Sequence, residues 1–244
     1  MKMEKALAMS APEFRAARAP ALKGFDLLYL GDEFCQNLLP ARADFGAAVE
    51  SFKGRVVLVT PLLTDEVFDE MEKLITCFSG PKKRLEVVVN DLGLLHTVRR
   101  RCSRRVNITL GRLFTHRVKA MPPVFAGRFL KEHDVKRVEL DDPSLLPGFE
   151  VFKGVKFSFY SPFRYISTTR FCPWERHWPA ACALSCLGKA RKLEYPRLPR
   201  PLLLKGQAYG LKTSVVPAHP ALDRLVKESL PAAGRESKAQ PPKR

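Results

Sequence analysis

Nowhere in these 244 residues does an apolar run approach the roughly 18 residues that a membrane span requires. The opening segment, Met1 to Pro20, intersperses charges with alanines and lacks the apolar centre of a secretory signal. Together these gaps predict a soluble, cytoplasmic protein without a membrane span. Two hydrolytic signatures are also missing. There is no HExxH pair for a zinc peptidase and no G-x-S-x-G elbow for a serine hydrolase. The five histidines, His96, His116, His133, His177 and His219, are scattered rather than paired. Of these, His177 falls nearest the late cysteines. Acid is scarce: 25 Asp and Glu face 42 Lys and Arg, for a net charge of +17. The densest basic stretch, Arg99 to Lys119, holds eight Lys or Arg and no acid. Such a stretch suits RNA or another polyanion. A solvated helix end and loop would read the same way, since the basic residues are spread along the chain and no aromatic-interleaved RNA signature accompanies them.

What the chain does have is a strand–helix rhythm. Phe25 to Leu30, Arg55 to Thr60, Leu85 to Val89, Val106 to Leu110 and Val135 to Leu140 are short apolar runs of strand type. Between them, Ala43 to Phe52, Asp65 to Phe78, Leu92 to Arg101 and Phe125 to His133 carry helical spacing. In the second helix Val67, Met71, Leu74, Ile75 and Phe78 recur on one face, Thr64 is placed to cap it, and Gly80-Pro81 ends it. Val155 to Tyr160 and the run up to Ile166 read as further strands. Repeated βα units predict an α/β fold with a mostly parallel sheet. The predicted domain occupies residues 23–222, between a loose leader over 1–22 and a basic, disordered tail over 223–244. Residues 167–201 break the rhythm. They are dense in Cys, Trp, Pro, Arg and Lys, as an insertion folded around a metal would be.

Six cysteines in a cytosolic chain argue against a disulfide framework. Cys172, Cys182 and Cys186 cluster in the irregular segment, and C-x3-C in the first turn of a helix would put two thiolates on one face. Cys35 follows the first predicted strand. In a parallel α/β fold the C-terminal strand ends converge, so Cys35 can complete a four-thiolate set with the late three. Soft thiolates suit zinc or an iron–sulfur cluster. The chain has no paired C-x2-C knuckles, and one distant cysteine with three later ones is closer to iron–sulfur arrangements. Buried, inert cysteines are the alternative for some of them. Cys77 falls on the apolar side of its helix and reads as core. Cys102 reads as a helix-end residue, though the arginines around it favour a thiolate.

Several segments, in order, resemble the collagenase-like peptidase family of the U type (the U32 peptidase family), and within it the UbiU and UbiV branch. They are LYLGDEFC, EVVVNDLGLLHTVRR, VKRVELDDPSL, YISTTRFC, CALSC and GQAYGLKTSVVP, which span most of residues 24–216. The segment before the second cysteine departs from the family's Gly-Arg, reading Pro162-Phe163-Arg164. The resemblance implies a TIM-barrel-like domain, with a set of strands that need not be complete. It implies a 4Fe-4S cluster on Cys35, Cys172, Cys182 and Cys186. It also implies a heterodimer with a second, UbiU-like family member in oxygen-independent hydroxylation, as in anaerobic ubiquinone biosynthesis, with prephenate or a quinone precursor as substrate. Relatives that hydroxylate RNA bases supply a second expectation; a non-catalytic scaffold or oxygen sensor is a third, and proteolysis the last. Asn90 and Asp91, at a predicted strand end, are candidate substrate residues, since barrel sites gather there. The turn itself also calls for them. Arg164 and Arg170 flank the cysteine segment and are candidates for holding a carboxylate.

Overall fold

The computed structural model describes residues 3–17, 19–102, 104–149, 151–176, 182–196, 198–213, 215–231 and 233–235. Eight parallel strands close into a barrel: β1 (Glu4–Met9), β2 (Leu27–Gly31), β3 (Arg55–Val59), β4 (Leu85–Val89), β5 (Val106–Leu110), β6 (Arg137–Leu140), β7 (Lys156–Ser161) and β12 (Leu222–Glu228). The last strand pairs with both β7 and β1, so no edge is left open. The barrel helices are α1 (Ala11–Ala16), α2 (Arg42–Ser51), α3 (Asp65–Phe78), α4 (Leu92–Cys102), α5 (Arg112–Lys119), α6 (Pro123–Glu132) and the short α7 (Leu146–Phe149).

Between β7 and β12 the chain makes four further strands, β8 (Phe163–Thr168), β9 (Ala190–Leu193), β10 (Leu202–Lys205) and β11 (Ala208–Lys212). These join β13 (Ala233–Arg235) in a separate sheet of order β13-β9-β10-β11-β8. Because β7 ends at the C-terminal mouth of the barrel and β12 must restart at the other end, this small sheet is anchored at the mouth.

Two expectations are corrected here. The predicted leader over 1–22 contains β1, which lies between β12 and β2. Its inward residues include Ala6 and Ala8, so the strand carries none of the valine-rich signal that marks β3 and β4. The predicted tail from 223 begins inside β12. That strand reads as solvated because it is charged, yet Asp223 and Arg224 are buried.

The strands alternate between two cores. Leu28, Leu30, Leu58, Val87, Val89, Phe157 and Phe159 point outward under the helices. Leu27, Tyr29, Val57, Val59, Val88, Tyr160 and Val226 fill the barrel. Helix α3 matches its predicted span, with Met71, Leu74 and Ile75 buried and Asp65 and Glu66 in the first turn, where they offset the helix dipole. Thr64 stands at the cap position, but its hydroxyl makes no capping bond. Cys77, expected in the core, is exposed. Its position on the helix lies just outside the buried stripe. Cys102 ends α4 and is buried. Gly31, at φ 127°, lets β2 approach β3; a Cβ there would meet the Val59 carbonyl oxygen at 2.1 Å.

Charges are built into the N-terminal half of the barrel. Arg224 donates to both oxygens of Glu86 at 2.5 and 3.2 Å, to the Tyr29 hydroxyl at 2.6 Å and to Glu4 at 3.1 Å. Arg137 donates to Asp223 at 2.5 Å and to Ser158 at 3.1 Å. These bonds tie β12 to β1, β2, β4, β6 and β7. Arg224→Ala is expected to lower the unfolding free energy by about 3–5 kcal/mol, because it strands the Glu86 carboxylate. Urea denaturation followed by circular dichroism measures that loss.

Candidate functional site

The residues that follow each strand gather at the C-terminal mouth. Glu33 follows β2, Asn90 follows β4, Arg112 follows β5, Asp141 follows β6, and Glu228 ends β12. Arg112 is their hub. Its Nε donates to Glu33 at 2.5 Å, and its Nη1 donates to Glu228 at 3.1 Å, to the Phe163 carbonyl at 3.2 Å and to Asp141 at 3.4 Å. The guanidinium also lies 3.9 Å from the centre of the Tyr160 ring. Burial alone would lower the pKa of Arg112, but Glu33, Glu228 and Asp141 outweigh it and hold the side chain charged. Glu228 is held below its ordinary range: burial pushes it up, and Lys205 at 2.6 Å with Arg112 more than reverses this.

Above the hub lies a small cleft, open to solvent. Its walls include Ser10, Asp32, Tyr160, Lys205 and Cys186. Burial pushes the Asp32 carboxyl up to about 6, against the backbone N–H bonds it accepts from Phe34 and Cys35, both at 2.8 Å.

The four predicted cysteines lie on three segments, and Cys186 among them lines the cleft. Cys35 follows β2 and is buried; Cys172 follows β8 and is buried; Cys182 and Cys186, half-buried, lie in the loop before β9. Cys35 lies within electrostatic reach of Cys186 and Cys182, and Cys186 within reach of Cys182 and Cys172. Burial first, then Asp32 and the neighbouring thiols, pushes Cys186 up to about 12 and Cys35 higher still. The expected helical C-x3-C is corrected: residues 182–184 are irregular and 185–188 form turns. Leu184 stands at φ 58°, and its N–H donates to the Cys182 sulfur at 3.4 Å. Glu175 pins this loop, accepting from the N–H groups of Ser185 at 2.9 Å and Ala183 at 3.0 Å. Among the described residues, no group of three or more His, Cys, Asp or Glu is gathered to hold a single metal ion. His177 and Trp178 lie outside the described residues. Trp174 donates its indole N–H to the Gly206 carbonyl at 2.8 Å, fastening the cysteine segment to the small sheet.

The other candidates serve the frame of the mouth. Asn90 donates to the Thr60 carbonyl at 2.9 Å and to Glu33 at 3.2 Å, and accepts from Leu113 N–H at 3.0 Å. Gly111 beside it has no room for a Cβ, which would fall 2.2 Å from the Asn90 amide. Asp91 accepts from the N–H groups of Leu94 at 2.9 Å and Leu63 at 3.2 Å, so it caps α4. Arg164 pairs with Asp142, and Arg170 donates to the Leu63 carbonyl at 3.4 Å. Arg112, Glu33, Asp141 and Glu228 escaped sequence reasoning. Arg112 sits in a run of arginines that differ only in where the fold buries them, while Glu33 had one signal, its place two residues before Cys35.

Beneath the cleft, Tyr29 donates to Glu139 at 3.0 Å. The second oxygen of Glu139 and the Tyr160 hydroxyl, both buried, have no protein partner. Burial pushes Glu139 up to about 8 against the pull of Arg224, so the folded protein keeps this carboxyl protonated at neutral pH while the unfolded chain does not. The folded state therefore binds the extra proton, and its stability falls as pH rises from about 4.5 to about 8. Glu139→Gln is expected to flatten that fall and to melt higher than the parent at pH 8, as thermal melts across this range would show.

No family model, no curated protein and no solved structure matches this chain.

Proposed function

We propose that Cys35, Cys172, Cys182 and Cys186 hold a 4Fe-4S cluster over the barrel mouth, and that the protein supports an oxygen-independent hydroxylation with a second protein of the U-type family. The observation that carries this reading is that thiols from three separate segments influence one another electrostatically, and that one of them, Cys186, lines the cleft at the C-terminal end of a closed parallel barrel. That end is where barrel enzymes place their chemistry.

The donor set fits a cluster chemically. Four cysteines give it the soft ligands it needs, and two of them are buried away from water and oxidants. When bound, the cluster would supply one-electron chemistry. The chain's own residues do the rest. The Leu184 N–H points at the Cys182 sulfur, which lowers the electron density a ligand presents and raises the potential of whatever it binds. The Arg112 hub holds the mouth rigid, and the cleft beside Cys186 offers Lys205 and Ser10 as polar contacts for a substrate. Anaerobic ubiquinone biosynthesis is the setting this reading favours, with prephenate or a quinone precursor as the small molecule.

Anaerobic purification followed by iron and sulfide analysis tests the reading. The expected result is near-equal iron and sulfide, with a broad visible absorption that bleaches in air. Cys35→Ser or Cys186→Ser should each lose most of the iron while the chain stays folded. Stoichiometric zinc without sulfide, or iron unchanged in both variants, would end the proposal.

A further inference from the structure

Away from the cysteines, the connection between α5 and α6, the first turn of α6 and the linker into β7 expose several large apolar side chains. Val124 is 73% exposed, Val151 61%, Phe125 57% and Met121 37%. The two segments are neighbours, because α6 packs Gly127 against the ring of Phe152. The charge around them is mostly basic: residues 92–131 contain no Asp or Glu, and the nearest acids in sequence are Glu132 and Glu150 at the edges of the two segments. Lys119, Arg128, Lys131 and Lys153 are exposed beside the patch, and the Arg128 guanidinium sits 5.6 Å from the centre of the Phe125 ring. The linker carrying Val151 and Lys153 enters β7 at the N-terminal end of the barrel, opposite the cysteines.

We propose that this patch docks the protein on an anionic lipid surface. Exposed apolar residues set among bases have two favourable terms there. The side chains of Val124, Phe125 and Val151 enter the boundary between headgroups and acyl chains, and the bases meet lipid phosphates and carboxylates. RNA would satisfy the bases but has no use for exposed valines, and an ordinary solvated face would not concentrate apolar side chains. No helix among the described residues is long and apolar enough to cross a membrane, so the contact is peripheral. Docked in this way, the barrel keeps its cleft on the side away from the bilayer. The inference stands independently of the cluster.

Co-sedimentation of the full chain with vesicles tests it. Vesicles of phosphatidylcholine mixed with phosphatidylserine should retain the protein, and vesicles of phosphatidylcholine alone should retain far less. Phe125→Asp should weaken binding about ten-fold or more. The double variant Arg128→Gln with Lys153→Gln should weaken it by about thirty-fold and reduce its salt sensitivity. All three positions are exposed, and unchanged circular dichroism and melting confirm the fold of each variant. Equal retention by neutral and anionic vesicles would overturn the proposal. So would binding unaffected by Phe125→Asp, retention by an RNA oligomer without retention by vesicles, or a self-association that Phe125→Asp abolishes in a protein that ignores vesicles.

Discussion

The buried guanidinium of Arg112 is the interaction on which the mouth depends. It takes one residue from the start of α5 and joins it to carboxylates that follow β2 and β6 and end β12, and to the backbone of β8. Four barrel strands and the small sheet thus meet at one cation. Burying a charge is costly, and here three carboxylates and a carbonyl offset the cost by surrounding the guanidinium with acceptors. Because those acceptors come from distant parts of the chain, the arrangement exists only in the folded barrel. The cysteines inherit their positions from it. Cys35 lies two residues beyond Glu33, and the loop with Cys182 and Cys186 is carried by the sheet that Phe163 begins.

A second buried arginine does the same at the opposite end. Arg224 fixes β12 to its neighbours through Glu86, Tyr29 and Glu4, and so closes the barrel. Between the two arginines lies Glu139, a carboxyl that burial keeps protonated, with the Tyr29 hydroxyl on one oxygen. The barrel interior is therefore charged at both ends, and between them Glu139 and the Tyr29 hydroxyl sit among Val57, Val88 and Val226. The polar ends fix register, since a one-residue slip of β12 would turn Arg224 out of the interior.

Much of this was legible in the sequence, and the exceptions share a cause. Helix α3 and strands β3, β4 and β5 lie where periodicity put them, because each has an outward core face of valine, leucine or isoleucine. Strands β1 and β12 escaped notice because their inward residues are alanine and charge. Alanine carries little strand signal, and β12 is charged because its partners are buried acids, which a single sequence does not display. The four cysteines were picked out by position relative to the strands; in the structure Cys186 lines the cleft and lies within electrostatic reach of Cys35, Cys172 and Cys182. The turn conformation of Cys182 to Cys186 was not legible, since it depends on Glu175 reaching the loop's backbone N–H groups. The basic residues looked scattered along the chain, and only the packing of α6 on the linker into β7 shows which of them surround exposed apolar side chains.

Disulfide mapping of the reduced, metal-free chain tests the convergence of the cysteines most directly. Mild oxidation should form a bond between Cys35 and either Cys182 or Cys186, identified as a linked peptide pair by mass spectrometry after digestion. These thiols are far apart in sequence, so the link forms only if the mouth gathers them. This pair is expected ahead of any that includes the exposed Cys77. A Cys35 that stays open to alkylation after oxidation, while other cysteines pair, would contradict it.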